Sequence, residues 1–134
     1  TLRQIEFALF DLNIHKANPA LNAANIQATM DDIRHKYSVA PTAAYNRFQH
    51  GFSHIFAGGY AAGYYSYKWA AVLASDAFDR FEQDGIFNTE TGKQFRKFIL
   101  AVGGKDQALD AFINFRKREP KIDALLRHQG WTNA

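Results

Sequence analysis

The stretch Ala61-Ala62-Gly63-Tyr64-Tyr65-Ser66-Tyr67-Lys68-Trp69-Ala70-Ala71-Val72-Leu73-Ala74-Ser75-Asp76-Ala77-Phe78-Asp79-Arg80-Phe81-Glu82-Gln83 decides the fold class. Its apolar residues recur at steps of three and four, which predicts one helix from about Ala61 to Gln83. In the first half, Tyr64, Tyr65, Tyr67, Trp69, Val72 and Leu73 cover much of the circumference. A helix apolar nearly all round is a buried helix. In the second half Ala77, Phe78 and Phe81 continue one apolar side, while Asp76, Asp79 and Arg80 interrupt it. That half is therefore expected to be more exposed, and Gly85 is a natural stop.

Helical periodicity also holds on both sides of this stretch. Upstream, Leu2, Ile5, Leu9 and Leu12 form one stripe of a first helix, broken near Asn18-Pro19. Ile26, Met30, Ile33 and Tyr37 line a second helix from about Asn25 to Tyr37, and Pro41 bars its continuation. Downstream, a helix fits from about Glu90 to Val102 with Phe95, Phe98 and Ile99 inward, ended by Gly103-Gly104. Another fits from about Asp106 to Lys117 with Leu109, Phe112, Ile113 and Phe115 inward. Pro120 suits the first turn of a short last helix through Leu125, Leu126 and His128 to Gly130. No segment reads as a strand, so the expected fold class is all-α, an irregular helical assembly.

Composition narrows the function classes. With 134 residues, 47% hydrophobic and 22% charged, the chain is ordinary globular material. The net charge of +3 comes from Lys and Arg interleaved with Asp and Glu. No basic block marks a nucleic-acid or anionic-membrane footprint. No apolar run reaches the length of a membrane span, and no signal-peptide pattern opens the chain. The absence of cysteine excludes disulfides and thiolate metal sites and is compatible with a reducing cytoplasm. Twelve Phe, six Tyr and two Trp are a rich aromatic stock, some of it suited to contact with another part of a larger protein. Because Thr1 already lies inside an amphipathic pattern, the parent protein is expected to start further upstream.

The region from Pro41 to about Gly59 reads as an irregular stretch with room for a short helix, and such stretches are more often functional than idle. It leads into His54-Ile55-Phe56-Ala57-Gly58-Gly59-Tyr60-Ala61-Ala62-Gly63-Tyr64-Tyr65-Ser66-Tyr67. The glycine pair permits a left-handed or flexible backbone, and Gly63 falls in the first helical turns. Tyr60, Tyr64 and Tyr67 share one helix face if Tyr60 is already helical. Phenols there would suit a clamp for an extended peptide; core packing is the plainer alternative. His50 and His54 are four apart, the spacing of a helical zinc pair, but Gly51 stands where the catalytic Glu of H-E-x-x-H belongs. The pair is not read as a metal site, nor is the glycine spacing read as a phosphate loop. His15, His35 and His128 read as isolated at helix ends, and Asp31 and Asp32 as solvated.

The run Phe52-Ser53-His54-Ile55-Phe56-Ala57-Gly58-Gly59-Tyr60-Ala61-Ala62-Gly63-Tyr64-Tyr65-Ser66-Tyr67-Lys68-Trp69 resembles the substrate loop and following helix of the thimet oligopeptidase family of zinc peptidases. The resemblance continues through Gly85-Ile86-Phe87-Asn88, Ile99-Leu100, Gly103-Gly104, Arg118-Glu119-Pro120 and Asp123-Ala124-Leu125-Leu126, and reaches back to Ala8-Leu9-Phe10-Asp11. It implies a C-terminal piece, residues 1–134, of a mostly helical, two-lobed cytoplasmic metallopeptidase, with a substrate loop at about 48–63. It implies zinc as cofactor in the full-length enzyme, held by H-E-x-x-H and a downstream Glu. No H-E-x-x-H occurs in this chain, so the zinc ligands are expected in the remaining portion of the enzyme and none is assigned here.

Residue by residue, the resemblance implies that Tyr67 hydrogen-bonds the tetrahedral oxyanion and that His54 contacts substrate or transition state. Tyr60 and Tyr64 would line the substrate channel, and Gly58, Gly59 and Gly63 would belong to a loop closing over short peptide substrates. One departure is Ile55-Phe56-Ala57, a segment one residue longer than in mammalian members. The alternative is a self-sufficient helical module that binds a peptide or protein partner. Such a module would have a closed core, whereas a piece of a larger enzyme would expose a broad apolar face.

Overall fold

The computed structural model describes residues 1–16 and 22–132; the helix break expected at Asn18-Pro19 lies outside them. The elements are α1 (Leu2–Lys16), α2 (Ala23–Tyr37), a 3₁₀ turn (Phe48–Gly51), α3 (Ser53–Phe56), α4 (Ser66–Asp84), α5 (Thr89–Phe95), a π-helical turn (Arg96–Leu100), α6 (Ala108–Arg116) and α7 (Asp123–His128). No strand occurs among the described residues, and the fold is all-α as expected. None of the described helices is long and apolar enough to cross a membrane. The residues form two compact units, Thr1–Lys68 and Trp69–Ala134, with the boundary inside α4.

In the first unit, α1 buries Phe7, Phe10 and Ile14 against Met30 and Ile33 of α2 and against Phe52, Ile55 and Tyr64. Of the expected leucine stripe, Leu9 packs partly buried against this core, while Leu2 and Leu12 are exposed. Phe7, Phe10 and Ile14 have the same helical spacing, and the aromatic rings offer more apolar area to bury. The Phe7 ring stacks on Phe48 at 4.2 Å and tilts against Phe52 at 5.4 Å. Asn22 starts α2: its Oδ1 accepts the Ala24 and Asn25 N–H groups, while Asn25 Oδ1 accepts the Asn22 N–H at 2.8 Å. Arg34 Nε donates to Glu6 Oε1 at 3.0 Å, tying α2 to α1 with little of either side chain exposed. Tyr37, expected on the inner stripe, is exposed in the last turn of α2.

The second unit gathers Ala77, Phe112 and Phe115, with Leu73, Phe81, Phe95, Phe98 and Ile99 packed around them. Asn88 caps α5 by accepting the Glu90 and Thr91 N–H groups. Gly85 ends α4 at φ 104° as expected. The apolar faces leave a cleft of about 750 Å³ lined by Leu73, Phe78, Phe81, Phe95, Ile99 and Phe112. Several expectations are corrected here. Leu109 is exposed, and Pro120 precedes α7 instead of lying in its first turn. The buried-helix expectation also fails at the start of α4: Tyr65 and Trp69 are exposed, Trp69 at 59%. Neither residue has chain packed over it, so periodicity alone misjudged where this helix faces protein.

Asp76 and Asp79, read as interrupting the apolar side of a half expected to be more exposed, anchor an ion-pair network. Asp76 is fully buried. Arg118 grips it through two hydrogen bonds of 2.7 and 2.6 Å, and the Lys121 N–H adds a third at 2.7 Å. Arg116 Nε lies 3.1 Å from the same carboxylate, and its Nη2 donates to Asp79 at 2.8 Å. Arg127 reaches Asp79 at 2.9 Å and also pairs with Glu82, which His128 contacts at 2.9 Å. His128 is therefore not isolated. Burial alone would raise the Asp76 pKa, but the Arg118 hydrogen bonds, the Lys121 amide and the two guanidinium charges outweigh it and hold the group below its usual value. Hydrogen bonds from Arg127 and His128 bring Glu82 down to about 2.

Two outcomes follow from this network. Asp76→Ala leaves buried guanidinium charge without its partner and is expected to lower unfolding free energy by about 3 kcal/mol, read from urea denaturation. Both carboxylates have folded pKa values below their unfolded ones, so their stabilisation is complete above the unfolded pKa and is lost as pH falls through the folded one. The urea midpoint is expected to drop between about pH 5 and pH 2, and Glu82→Gln is expected to flatten part of that drop.

Candidate functional site

The expected substrate loop is built on α3. Phe52 and Ile55 point into the core, which turns His54 and Phe56 outward. The Ala57 and Gly58 N–H groups both donate to Ser53 O at 2.7 Å, and the Tyr60 N–H donates to His54 O at 3.0 Å. A Cβ at Gly58 would stand 2.9 Å from the His54 Cα and carbonyl oxygen, and Gly59 adopts φ 78°. The glycine pair thus makes a tight cap that fixes the backbone of His54. Gly63 lies in a turn, its N–H donating to Tyr60 O at 2.8 Å, not in the first helical turns as expected.

The turn between Tyr60 and Ser66 is held from a distance. Asp11, on the inner face of α1, is fully buried. Its Oδ1 accepts the Ala62 N–H at 2.8 Å and its Oδ2 accepts the Tyr64 N–H at 2.9 Å. Ala62 sits at φ 53°, a left-handed conformation unfavourable for a residue with a Cβ. These carboxylate bonds replace the helical start that periodicity placed at Ala61, and α4 begins only at Ser66. His15 Nδ1 lies 2.8 Å from Asp11 Oδ1, so this histidine also has a specific partner.

Four rings expected at the site do meet. Tyr60 and Tyr67 stack at 5.3 Å with an interplanar angle of 23°. Tyr64 approaches Tyr67 at 5.1 Å, and His54 lies 5.7 Å from Tyr64, 6.0 Å from Tyr60 and 6.2 Å from Tyr67. They do not share a helix face, because Tyr60 and Tyr64 precede the helix and only Tyr67 is in it. Their exposure divides them. Tyr64 is 7% exposed and packs edge-on to Phe52, so its ring belongs to the core. Tyr60 and Tyr67 are 38% and 40% exposed, and His54 is exposed beside them. Hydrogen bonding with Tyr60, then desolvation and the neighbouring Tyr60 and Tyr64 groups, raises the Tyr67 phenol above its usual 10.0. A neutral phenol can donate a hydrogen bond to an anionic oxygen.

The described residues contain no group of three or more His, Asp or Glu side chains able to hold a metal ion. Asp11 was not singled out from the sequence. The available signal was an acid flanked at helical spacing by Phe7, Phe10 and Ile14, an apolar face on which a carboxylate has to find partners.

The loop geometry yields a graded prediction. Gly58→Ala forces its new methyl against backbone and is expected to cost about 1–3 kcal/mol, and Gly59→Ala about 1 kcal/mol for the positive φ. Gly51→Ala, with nothing within 4 Å of its Cβ position, serves as the control. Urea denaturation of the variants ranks them.

The sequence was compared with those of known proteins. The model of Peptidase family M3 matches residues 1–131. Oligopeptidase A of Escherichia coli is 54% identical over 129 residues, 96% of this chain and 19% of that protein. Oligopeptidase A of Haemophilus influenzae is 49% identical over 132 residues, 98% of this chain and 19% of that protein. A thimet-like oligopeptidase of Dictyostelium discoideum is 37% identical over 135 residues, 96% of this chain and 19% of that protein. The chain thus spans about a fifth of the length of the curated relatives it matches. The resemblance read from the glycine-tyrosine run is borne out along nearly the whole chain, and the chain belongs to Peptidase family M3.

Proposed function

We propose that this chain supplies the substrate-binding wall of a metallopeptidase that hydrolyses peptide bonds in short peptides in the cytoplasm. Tyr67 is the donor to the oxyanion that forms on the scissile carbonyl. His54 and Tyr60 contact the bound peptide beside it. The backbone around Tyr64, Gly58, Gly59 and Gly63 shapes the channel. The zinc of the full-length enzyme belongs to residues outside these 134, and the chain alone is inactive.

One observation carries the reading: the Tyr60 and Tyr67 phenols and the His54 imidazole gather at an exposed surface, on a loop whose sequence matches a peptidase family. A phenol held in its neutral form has a proton to donate where negative charge develops. Fixed donors of this kind stabilise a tetrahedral intermediate more than the ground state. The apolar cleft of about 750 Å³ in the second unit also favours a piece of a larger enzyme over a self-sufficient module, which would fill such a face with its own side chains.

The test is Tyr67→Phe in the full-length enzyme, assayed on a short peptide. Loss of one oxyanion donor is expected to lower kcat by about 10²–10³, with KM changed little. Near-normal turnover would remove Tyr67 from the chemistry. Micromolar peptide binding by the isolated chain would favour the binding-module alternative instead.

A further inference from the structure

We infer that Asp11 is a positioning residue for the site, holding the Tyr64–Tyr67 segment in place through its two amide contacts; this rests on the oxyanion reading of Tyr67. The carboxylate is fully buried, and a buried charge is retained only where it is fully satisfied. Its partners lie 51 and 53 residues away in sequence, on the two amides that flank Gly63. His15 Nδ1 hydrogen-bonds the Asp11 backbone carbonyl at 2.9 Å and lies 2.8 Å from Oδ1.

The surroundings show what the carboxylate does beyond filling the core. Phe7, Phe10 and Ile14 share the inner face of α1 with Asp11. An apolar residue there would leave the Ala62 and Tyr64 amides without their acceptors, so the carboxylate fixes the course of that turn as well as filling the core. The carboxylate does what an apolar side chain cannot: it holds Ala62 at φ 53° and delays the start of α4 to Ser66. That delay sets the Tyr64 ring 5.1 Å from Tyr67 and 5.7 Å from His54. Asp11 never reaches the exposed rings itself, so it acts on them through the Tyr64 backbone. A shift of about 1 Å at a reacting group is enough to cost about 10²-fold in rate.

The experiment is a double-mutant cycle in the full-length enzyme on a short peptide substrate. Asp11→Asn keeps the size but replaces one acceptor by a donor facing an N–H. It is expected to lower kcat by about 10- to 100-fold with KM within about twofold. In Asp11→Asn with Tyr67→Phe, kcat is expected to fall little below that of Tyr67→Phe alone, because both changes remove the same interaction. Losses that multiply in the double variant would show that Asp11 acts on the fold at large and would overturn the inference. Normal kcat in Asp11→Asn, with Tyr67→Phe slow, overturns the inference alone. Normal kcat in Tyr67→Phe overturns the oxyanion reading and this inference with it. Should Asp11→Asn not fold, amide exchange in the unaltered enzyme decides: the Ala62 and Tyr64 N–H groups are expected to be protected by at least about 100-fold, and free exchange sinks the proposal.

Discussion

A single carboxylate organises the first unit. Asp11 presents one oxygen to Ala62 and the other to Tyr64, and both amides sit in a turn with no ladder of its own. Charge-assisted hydrogen bonds to backbone N–H groups are about twice as strong as neutral ones, and burial shields these from water. Without them the turn would have to satisfy its amides by entering the helix early. Tyr60 and Tyr64 would then stand on a regular helical face, and the observed stacking of Tyr60 on Tyr67 would have to be rebuilt.

The ring cluster is assembled from pieces with different local physics. His54 comes from a single helical turn whose exit is closed by Gly58 and Gly59. Tyr60 and Tyr64 come from the turn, and Tyr67 from the first turn of α4. The buried Tyr64 ring lies between core and surface: Phe52 on one side, and His54 and Tyr67 on the other. Core packing and site geometry therefore meet in one side chain. Core packing accounts for the Tyr64 ring, while Tyr60 and Tyr67 stay at the surface.

Local sequence signals were reliable where the physics is local. The stop at Gly85 and the left-handed backbone at Gly59 are each determined by a few neighbouring atoms. The inner stripe of α2 was legible because Met30 and Ile33 had no competing face. Reading α1 by its leucines caught Leu9 but missed Phe7, Phe10 and Ile14, since two apolar stripes share that helix and only tertiary packing selects between them. Asp11 and Asp76 escaped notice for a common reason: each is an acid whose partner lies more than 40 residues away. Periodicity scores such an acid as exposed. The resemblance found the tyrosines; it assigned nothing to the carboxylate beneath them.

The charged network of the second unit has a consequence for how the chain is made. Asp76 precedes Arg118 by 42 residues and Asp79 precedes Arg127 by 48, so the acids leave the ribosome well before their cations. Until those cations arrive, the middle of α4 stays hydrated on the side it will later bury, and its neighbouring phenylalanines cannot close over it. Vectorial synthesis thereby keeps this half of the protein open until nearly its last helix has emerged, and a nascent chain cut short before Arg116 lacks every one of those counter-charges.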